Sequence, residues 1–495
     1  MTVRTPAFLG IDLGTARVKV GLVTPTGDLV GLGRARHLTD VDPATGRAEQ
    51  DAEDWWTGLG SAIHEALADR QLDVLGIVVA GHGPTTTPVD GAGRPTGPAI
   101  TWLDSGSNAE RAELEAASGL RGWSLGVLPA ALRLERRSAG DGTAATSRAR
   151  WYLNSWEALT LRLTGRAVTT LVPGQPFPDR AAIRAAGIDP ERIAAPCPTG
   201  SVVSGLTPDA AGALGLRPGI PVVAGLVDAF ASYHGAGVLA AGDAIDVGGA
   251  AGGFGVYWDR PVEAAGSFCT PAPLAGLWSV GGAMAATGSA LDWLAADLLG
   301  GALSLDDLII EATAVAPGAD GLVFLPYLAG ERSPIWDPAA RGVLAGLTLA
   351  HGRGHLTRAI LEAAALAIRH VAGPILAAGV RVDAMRVCGG PAHSEAWNRI
   401  KADVTGFDVL VPRVLETTVV GAAIVAAVGT GMYSDVPAAV RAMTAVERRI
   451  APDPAKRDAY DQAYRRYIEL YPAVAPVLAR TAPSLPERVM VGAGS

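Results

Sequence analysis

The chain reads as an α/β protein of two related domains with mixed sheets. Three observations predict this. One phrase, a strand, an Asp-bearing turn of small residues and a second strand, occurs twice about half a chain apart. Between and after the two copies, short buried strand patterns alternate with helical ones, as in layered α/β folds. The 495 residues also exceed what one core usually holds, so two or three domains are expected.

The first copy is Phe8-Leu9-Gly10-Ile11-Asp12-Leu13-Gly14-Thr15, followed by Val18-Lys19-Val20-Gly21-Leu22-Val23. It belongs to a strand meander over 8–37, with Gly27-Asp28 as a hairpin turn. Residues 51–70 predict an amphipathic helix. Asp51 caps it, and Trp55, Leu59, Ile63 and Leu67 fall at helical spacing. A short buried strand at 75–79 runs into Ala80-Gly81-His82-Gly83-Pro84, a loop at a strand's carboxyl end, where α/β folds favour ligands. Helical patterns follow at 107–118 and 151–164. The stretch 138–150 reads as an exposed loop and the proline-rich 171–200 as irregular surface. A strand at 221–225 leads to Asp228, which opens a helix of small residues.

The second copy, Ala244-Ile245-Asp246-Val247-Gly248-Gly249 and then Phe254-Gly255-Val256-Tyr257, begins the second domain. Residues 286–299, 355–378, 394–405 and 418–430 predict helices there, and 384–388 a strand. A Tyr and Leu stripe over 454–478 predicts a closing helix. The division expected is 1–241, 242–478 and a tail, 479–495, whose last dozen residues are of low complexity.

Composition narrows the function classes. Net charge is −8, without acidic tails or basic runs, which argues against nucleic acid as the main partner. Almost half the residues are apolar, but no run reaches the length of a membrane span. The first strand starts too early for a secretory leader, so a cytoplasmic protein with no membrane partner is expected. Cys197, Cys269 and Cys388 show no metal-ligand spacing and read as reduced thiols. Lysines are scarce, so Lys19 and Lys401 stand out.

The repeated turn suits an anion held between two hairpins. Backbone N–H groups reach a phosphate only where side chains are small, and an Asp beside them can hold a hydrated magnesium ion. One such turn alone is equally an ordinary hairpin. The second copy, and Lys19 seven residues after Asp12, favour phosphate. Asp228 has two readings: a helix N-cap, or a carboxylate that accepts a proton from an attacking hydroxyl in phosphoryl transfer. The run Val387-Cys388-Gly389-Gly390-Pro391-Ala392-His393-Ser394, then Trp397, Asn398 and Lys401, is a strand, a glycine pair and a helix. The pair would let a flat ring lie against backbone, a weak signal by itself.

Together these segments resemble the FGGY carbohydrate kinases, of the actin, hexokinase and chaperone-ATPase superfamily. The likeness runs from about residue 7 to about 472. It is most specific in Gly330-Glu331-Arg332-Ser333-Pro334 with Asp337, Arg341 and Gly342, in Ala359-Ile360-Leu361-Glu362, and in the 389–406 segment. The resemblance implies two RNase-H-like (actin-like ATPase) domains closing on ATP with Mg2+ and on a sugar or polyol, xylulose among them. By position, Asp228 looks like the catalytic base and, with Asp12, the metal partner. Gly14, Thr15 and Lys19 look like the first phosphate loop, and Gly248 and Gly249 belong to the second. Gly389, Gly390, Ser394 and Asn398 look like the adenosine site. His82, Thr85, Trp102 and Asp104 look like the sugar lining.

Three departures from the family pattern accompany this. A Gly-Thr-Ser frequent in the second phosphate loop is Gly249-Ala250-Ala251 here. In a Gly-Gln-Met-His-Gly loop typical of xylulokinases, His82 takes the Gln place and Pro84 the His place. An Arg often found two residues after Asp104 is Gly106. Competing readings are a catalytically weak sugar-sensing relative, motivated by Ala250 and Ala251, and an actin- or chaperone-like ATPase. The resemblance leaves room for a homodimer.

Overall fold

The computed structural model describes residues 4–491 except 43–44, 69, 71, 142–147 and 482–488. Two large mixed sheets carry the architecture. The first has the strand order Val202–Gly205, Pro221–Val227, Leu72–Gly81, Thr5–Leu13, Arg17–Val23, Leu29–Arg36. Its last three strands form the antiparallel meander, while Leu72–Gly81 and Pro221–Val227 run parallel to the first strand. The second sheet repeats the plan. Asp243–Val247 and Gly252–Trp258 make the hairpin, Trp278–Met284 and Phe268–Pro271 extend it, and Ala384–Cys388 and Val409–Pro412 continue in parallel. Val446–Ile450 closes the far edge.

The helices that cover these sheets are exchanged. Asp228–Ala236 leaves the first sheet, and its Tyr233 and Ala236 pack with Ile245, Tyr257 and Cys388 of the second. Thr417–Gly429, apolar all round, comes from the second half of the chain. It packs on Phe8, Val78, Ala80 and Val223 of the first sheet. The buried Val419, Val420, Ile424 and Val425 contribute about 1.5–3 kcal/mol each by leaving water. The two helices cross in backbone contact. A Cβ at Gly235 would lie 1.8 Å from the Thr417 carbonyl oxygen, and one at Gly421 would lie 1.8 Å from that of Ala231. The hydrophobic cores therefore do not divide where the chain does.

The 25-residue helix Arg353–Ala377 has the length and apolarity of a membrane span. However, 72% of its most apolar window is buried in the second core, between the sheet and the closing helix Arg457–Thr481.

Several sequence expectations need correction. Residues 151–153 are a strand paired with Thr87–Val89, because Asn154 and Glu157 form a capping box that starts the helix at Ser155. The expected loop at 138–150 is entered by helix Leu128–Asp141, and 142–147 lie outside the described residues. The stretch 171–200 contains helix Arg180–Ala185 and a strand, Pro196–Pro198, paired with Thr169–Leu171. Val489–Val491, expected in the tail, adds a strand to Thr39–Asp42.

Candidate active site

The first hairpin places Asp12 near the end of a central strand, directly across from Lys19. Gly14 N–H bonds the Arg17 carbonyl at 2.9 Å and closes the turn. Neighbours fix the rest of it. Gln50 donates to the Thr15 carbonyl at 2.7 Å, Trp102 Nε1 donates to Thr15 Oγ1 at 3.0 Å, and His37 Nε2 lies 3.0 Å from the Gly14 carbonyl. Asp12 is only 7% exposed. Burial pushes its carboxyl up to about 7. Lys19 opposes that shift, while the charges of Asp228 and Glu416 add to it.

Lys19 Nζ lies 4.0 Å from Asp12 Oδ2 but 2.7 Å from Glu416 Oε2. Arg34 Nη2 holds the other oxygen of Glu416 at 2.6 Å. Glu416 immediately precedes the exchanged helix Thr417–Gly429, so it ties that helix to the first hairpin. Sequence reasoning missed Glu416, whose partner is 397 positions away. The only signal was an acidic residue just before an apolar helix.

Asp228 is half-buried at the first position of its helix, and its Oδ1 accepts the Ala229 N–H at 2.7 Å. Burial raises it to about 6, partly offset by that hydrogen bond. Asp12 pairs with Ala80, and Val227, the residue before Asp228, pairs with Gly81 of the same strand. The two carboxylates therefore stand at one end of the sheet on either side of that strand, and the charge of Asp228 adds to the rise at Asp12. Such a pair favours a shared cation. No group of three or more ligating side chains occurs among the described residues. The donor set therefore suits an ion bound largely by water and a phosphate ligand, as magnesium commonly is.

The second hairpin is wired differently. Asp246, 3% exposed, accepts from Lys401 Nζ at 2.5 Å, and that lysine is itself 2% exposed on helix Glu395–Thr405. The carbonyls of Gly249 and Ala250 accept from Gly288 and Ser289 N–H, tying the turn to helix Gly288–Trp293. Gly248 and Gly389 touch. Gly389 has φ +73°, and a Cβ on it would lie 1.9 Å from the Gly248 carbonyl oxygen. Gly390 faces open space. Asn398 is fully buried and donates to the Ala392 carbonyl at 2.8 Å, while Ser394 Oγ caps the helix by accepting Trp397 N–H. Asn398 Nδ2 and Ser394 Oγ thus shape the glycine turn, while Asn398 Oδ1 has no partner among the described residues.

On the expected sugar side, His82 and Thr85 are buried, and the side chain of Asp104 is enclosed by its partners. His82 is 1% exposed, its Nδ1 is 2.8 Å from the Oγ1 of fully buried Thr85, and its ring meets Trp55 edge-on at 5.4 Å. Burial pushes the imidazole down to about 3, so it is neutral. Its Nε2 has no partner among the described residues. Asp104 accepts from the Ala48 and Gly106 amides and from Arg133 Nη1 at 2.8 Å. A Cβ at Gly106 would lie 2.3 Å from that Arg133 atom. Glycine there makes room for a guanidinium arriving from helix Leu128–Asp141. Trp102 is half-buried, with the Arg332 guanidinium 4.7 Å from its ring centre.

A cleft between two actin-like halves, with paired carboxylates on one wall and glycine turns on the other, defines a phosphotransferase. Models of the FGGY family of carbohydrate kinases match the N-terminal domain at residues 7–121 and the C-terminal domain at residues 247–430. The xylulose kinase of Escherichia coli (strain K12) is 31% identical over 424 residues, 81% of this chain and 85% of that protein. The gluconokinase of Bacillus subtilis (strain 168) is 27% identical over 462 residues, 86% of this chain and 88% of its own length. The crystal structure of xylulose kinase from Rhodospirillum rubrum superposes with a TM-score of 0.78 at 30% identity, covering 96% of this chain and all of that one. The chain belongs to the FGGY family of carbohydrate kinases. These matches give no support to the sensor or to the chaperone-like ATPase.

Proposed function

We propose that the chain transfers the γ-phosphoryl group of ATP to a hydroxyl of a small sugar or polyol, with a ketose such as xylulose as the first candidate. The observation that carries this reading is the placement of Asp12 and Asp228 at the same end of one sheet, on either side of strand Leu72–Gly81, two carboxylates raised to about 7 and about 6. Asp228 acts as the base. A carboxylate near 6 is better matched to a proton acceptor at neutral pH than an ordinary Asp. The acceptor hydroxyl gives its proton to Asp228 as its oxygen bonds the γ-phosphorus, and the bond from that phosphorus to the β–γ bridging oxygen breaks to release ADP. Asp12, with Asp228, would hold Mg2+, which when bound neutralises phosphate charge. Gly14 shapes the turn with its N–H on the Arg17 carbonyl, Thr15 offers backbone to the phosphates and Lys19 offers charge. Gly248, Gly249, Gly389 and Gly390 form the nucleotide wall, and Trp102 offers its face to the sugar.

A panel of ketoses, aldoses, aldonates and polyols, assayed by ATP consumption, tests the reading. Turnover should depend on an acceptor, and kcat/KM should fall on the acid side with a midpoint near 6. Asp228→Asn should lower kcat by about 10³-fold while MgATP binding persists. Acceptor-independent hydrolysis, or undiminished turnover by the variant, would overturn it.

A further inference from the structure

Arg332 is a half-buried cation without a carboxylate counter-charge. Among the described residues its guanidinium makes one hydrogen bond, from Nη2 to the Met284 carbonyl at 3.2 Å, and has no carboxylate within ion-pair distance. Neighbouring Glu331 does not serve, because its Oε1 accepts the Ala285 and Arg332 backbone N–H groups at 2.9 and 2.7 Å. Burial lowers the Arg332 pKa and raises Glu331 to about 7, so the pair is poorly neutralised. A desolvated charge of this kind is costly unless a partner completes it.

Its position says what that partner is. Met284 is paired with Gly252, the first residue of the strand leaving the second hairpin. On the other side the guanidinium stacks on Trp102, whose Nε1 holds Thr15 of the first hairpin. Arg332 therefore lies between the two hairpins, one residue removed from each, with most of its planar donor fork free. That fork matches an oxyanion in the plane of two oxygens.

We propose that Arg332 receives an oxyanion between the two hairpins: the phosphoryl group in transfer, which then remains as the phosphate of the product. The carboxylate of a sugar acid is the other source of the same chemistry. This rests on the kinase reading above. Arg332 forms no covalent bond in the step; it orients the group and offsets its charge.

Arg332→Gln and Arg332→Lys test it, each checked for folding by its melting temperature and for MgATP affinity. With an accepted neutral ketose, Arg332→Gln should lower kcat by about 10²-fold with the KM for ATP little changed. It should also weaken product inhibition at least about tenfold. Arg332→Lys should recover part of both, since charge returns without the fork. A loss confined to KM for gluconate would assign the site to a substrate carboxylate. Wild-type kcat, KM and product inhibition in Arg332→Gln would overturn the proposal. If the wild-type protein turned over no acceptor, the kinase reading would fall. The site would still be tested by inorganic phosphate with MgADP, which should raise the melting temperature of the wild type and not of Arg332→Gln; equal shifts would overturn it.

Discussion

The two hairpins share a backbone plan and differ in one neighbour. In the second, Asp246 is sealed against Lys401 at 2.5 Å, with both side chains buried. In the first, the lysine that could neutralise Asp12 is 4.0 Å away and held at 2.7 Å by Glu416. Burial raises the first Asp to about 7, and Lys19 offsets this only in part while Asp228 and Glu416 add to it, whereas the second Asp has its lysine in direct contact. A duplicated turn thus carries a sealed ion pair in one copy and an Asp without a close counter-ion in the other. The difference is set by cations on elements far away in sequence.

The largest expected effect comes from removing each lysine. Lys401→Met leaves the buried Asp246 carboxylate unpaired and should cost about 3–5 kcal/mol of stability, read by denaturant unfolding. Adding Asp246→Leu should restore much of it. Lys19→Met should cost under about 1 kcal/mol, because the pair is partly exposed and Glu416 keeps Arg34. Its penalty should fall on ATP use instead. Equal stability losses at the two sites would dissolve the contrast.

Next is the charge that the first hairpin leaves unbalanced. Asp12→Asn should lower kcat/KM by about 10²-fold, near 2.7 kcal/mol in the barrier. It should also make the ligand-free protein more heat-stable above pH 7. The sign follows from the direction of the shift. The folded carboxyl titrates near 7 and the ordinary one near 3.8, so the folded chain binds the proton more tightly. The stability tied to that proton is present below pH 4 and lost as pH rises through 7. Asn carries no such dependence, so the gain in melting temperature should be larger at pH 8 than at pH 5. A pH-independent difference would remove desolvation as the cause.

The repeat itself was legible in the sequence because it is local. Strands, glycines and the Asp lie within a dozen residues, and alternation and turn residues mark them. The helix opened by Asp228, the 384–388 strand and the glycine pair after it were legible for the same reason. What decides the chemistry was not. Lys401 meets Asp246 across 155 positions and Glu416 meets Lys19 across 397. Arg133 fills the space at Gly106 from another helix, and Arg332 reaches Trp102 from the opposite half. His82, Thr85 and Asp104 were placed in the sugar lining by the family resemblance, from their positions in the chain. His82 and Thr85 partner each other three residues apart, while Asp104 is held by Arg133 from 29 positions away, which sequence spacing does not show. The exchange of helices Asp228–Ala236 and Thr417–Gly429 was likewise hidden, because an apolar helix pattern says that a face is buried and not against which sheet.

The smallest effect concerns the tip of the second hairpin. Ala250 is exposed and Ala251 half-buried, where family members often carry hydroxyls. The turn does not depend on those side chains for its shape, since the Gly249 and Ala250 carbonyls are held by the amides of Gly288 and Ser289. Backbone donors can meet a phosphate without hydroxyls, so their loss should weaken nucleotide binding without abolishing it. Ala250→Thr with Ala251→Ser should therefore lower the KM for ATP by a few-fold, under about 1 kcal/mol, with kcat unchanged. The same pair of substitutions should leave the Asp246–Lys401 stability term intact, because the ion pair lies inside the strand and not at the tip. A rise in kcat, rather than a fall in KM, would mean that this turn touches the transferred phosphoryl group, and the division of labour between the two hairpins would have to be redrawn.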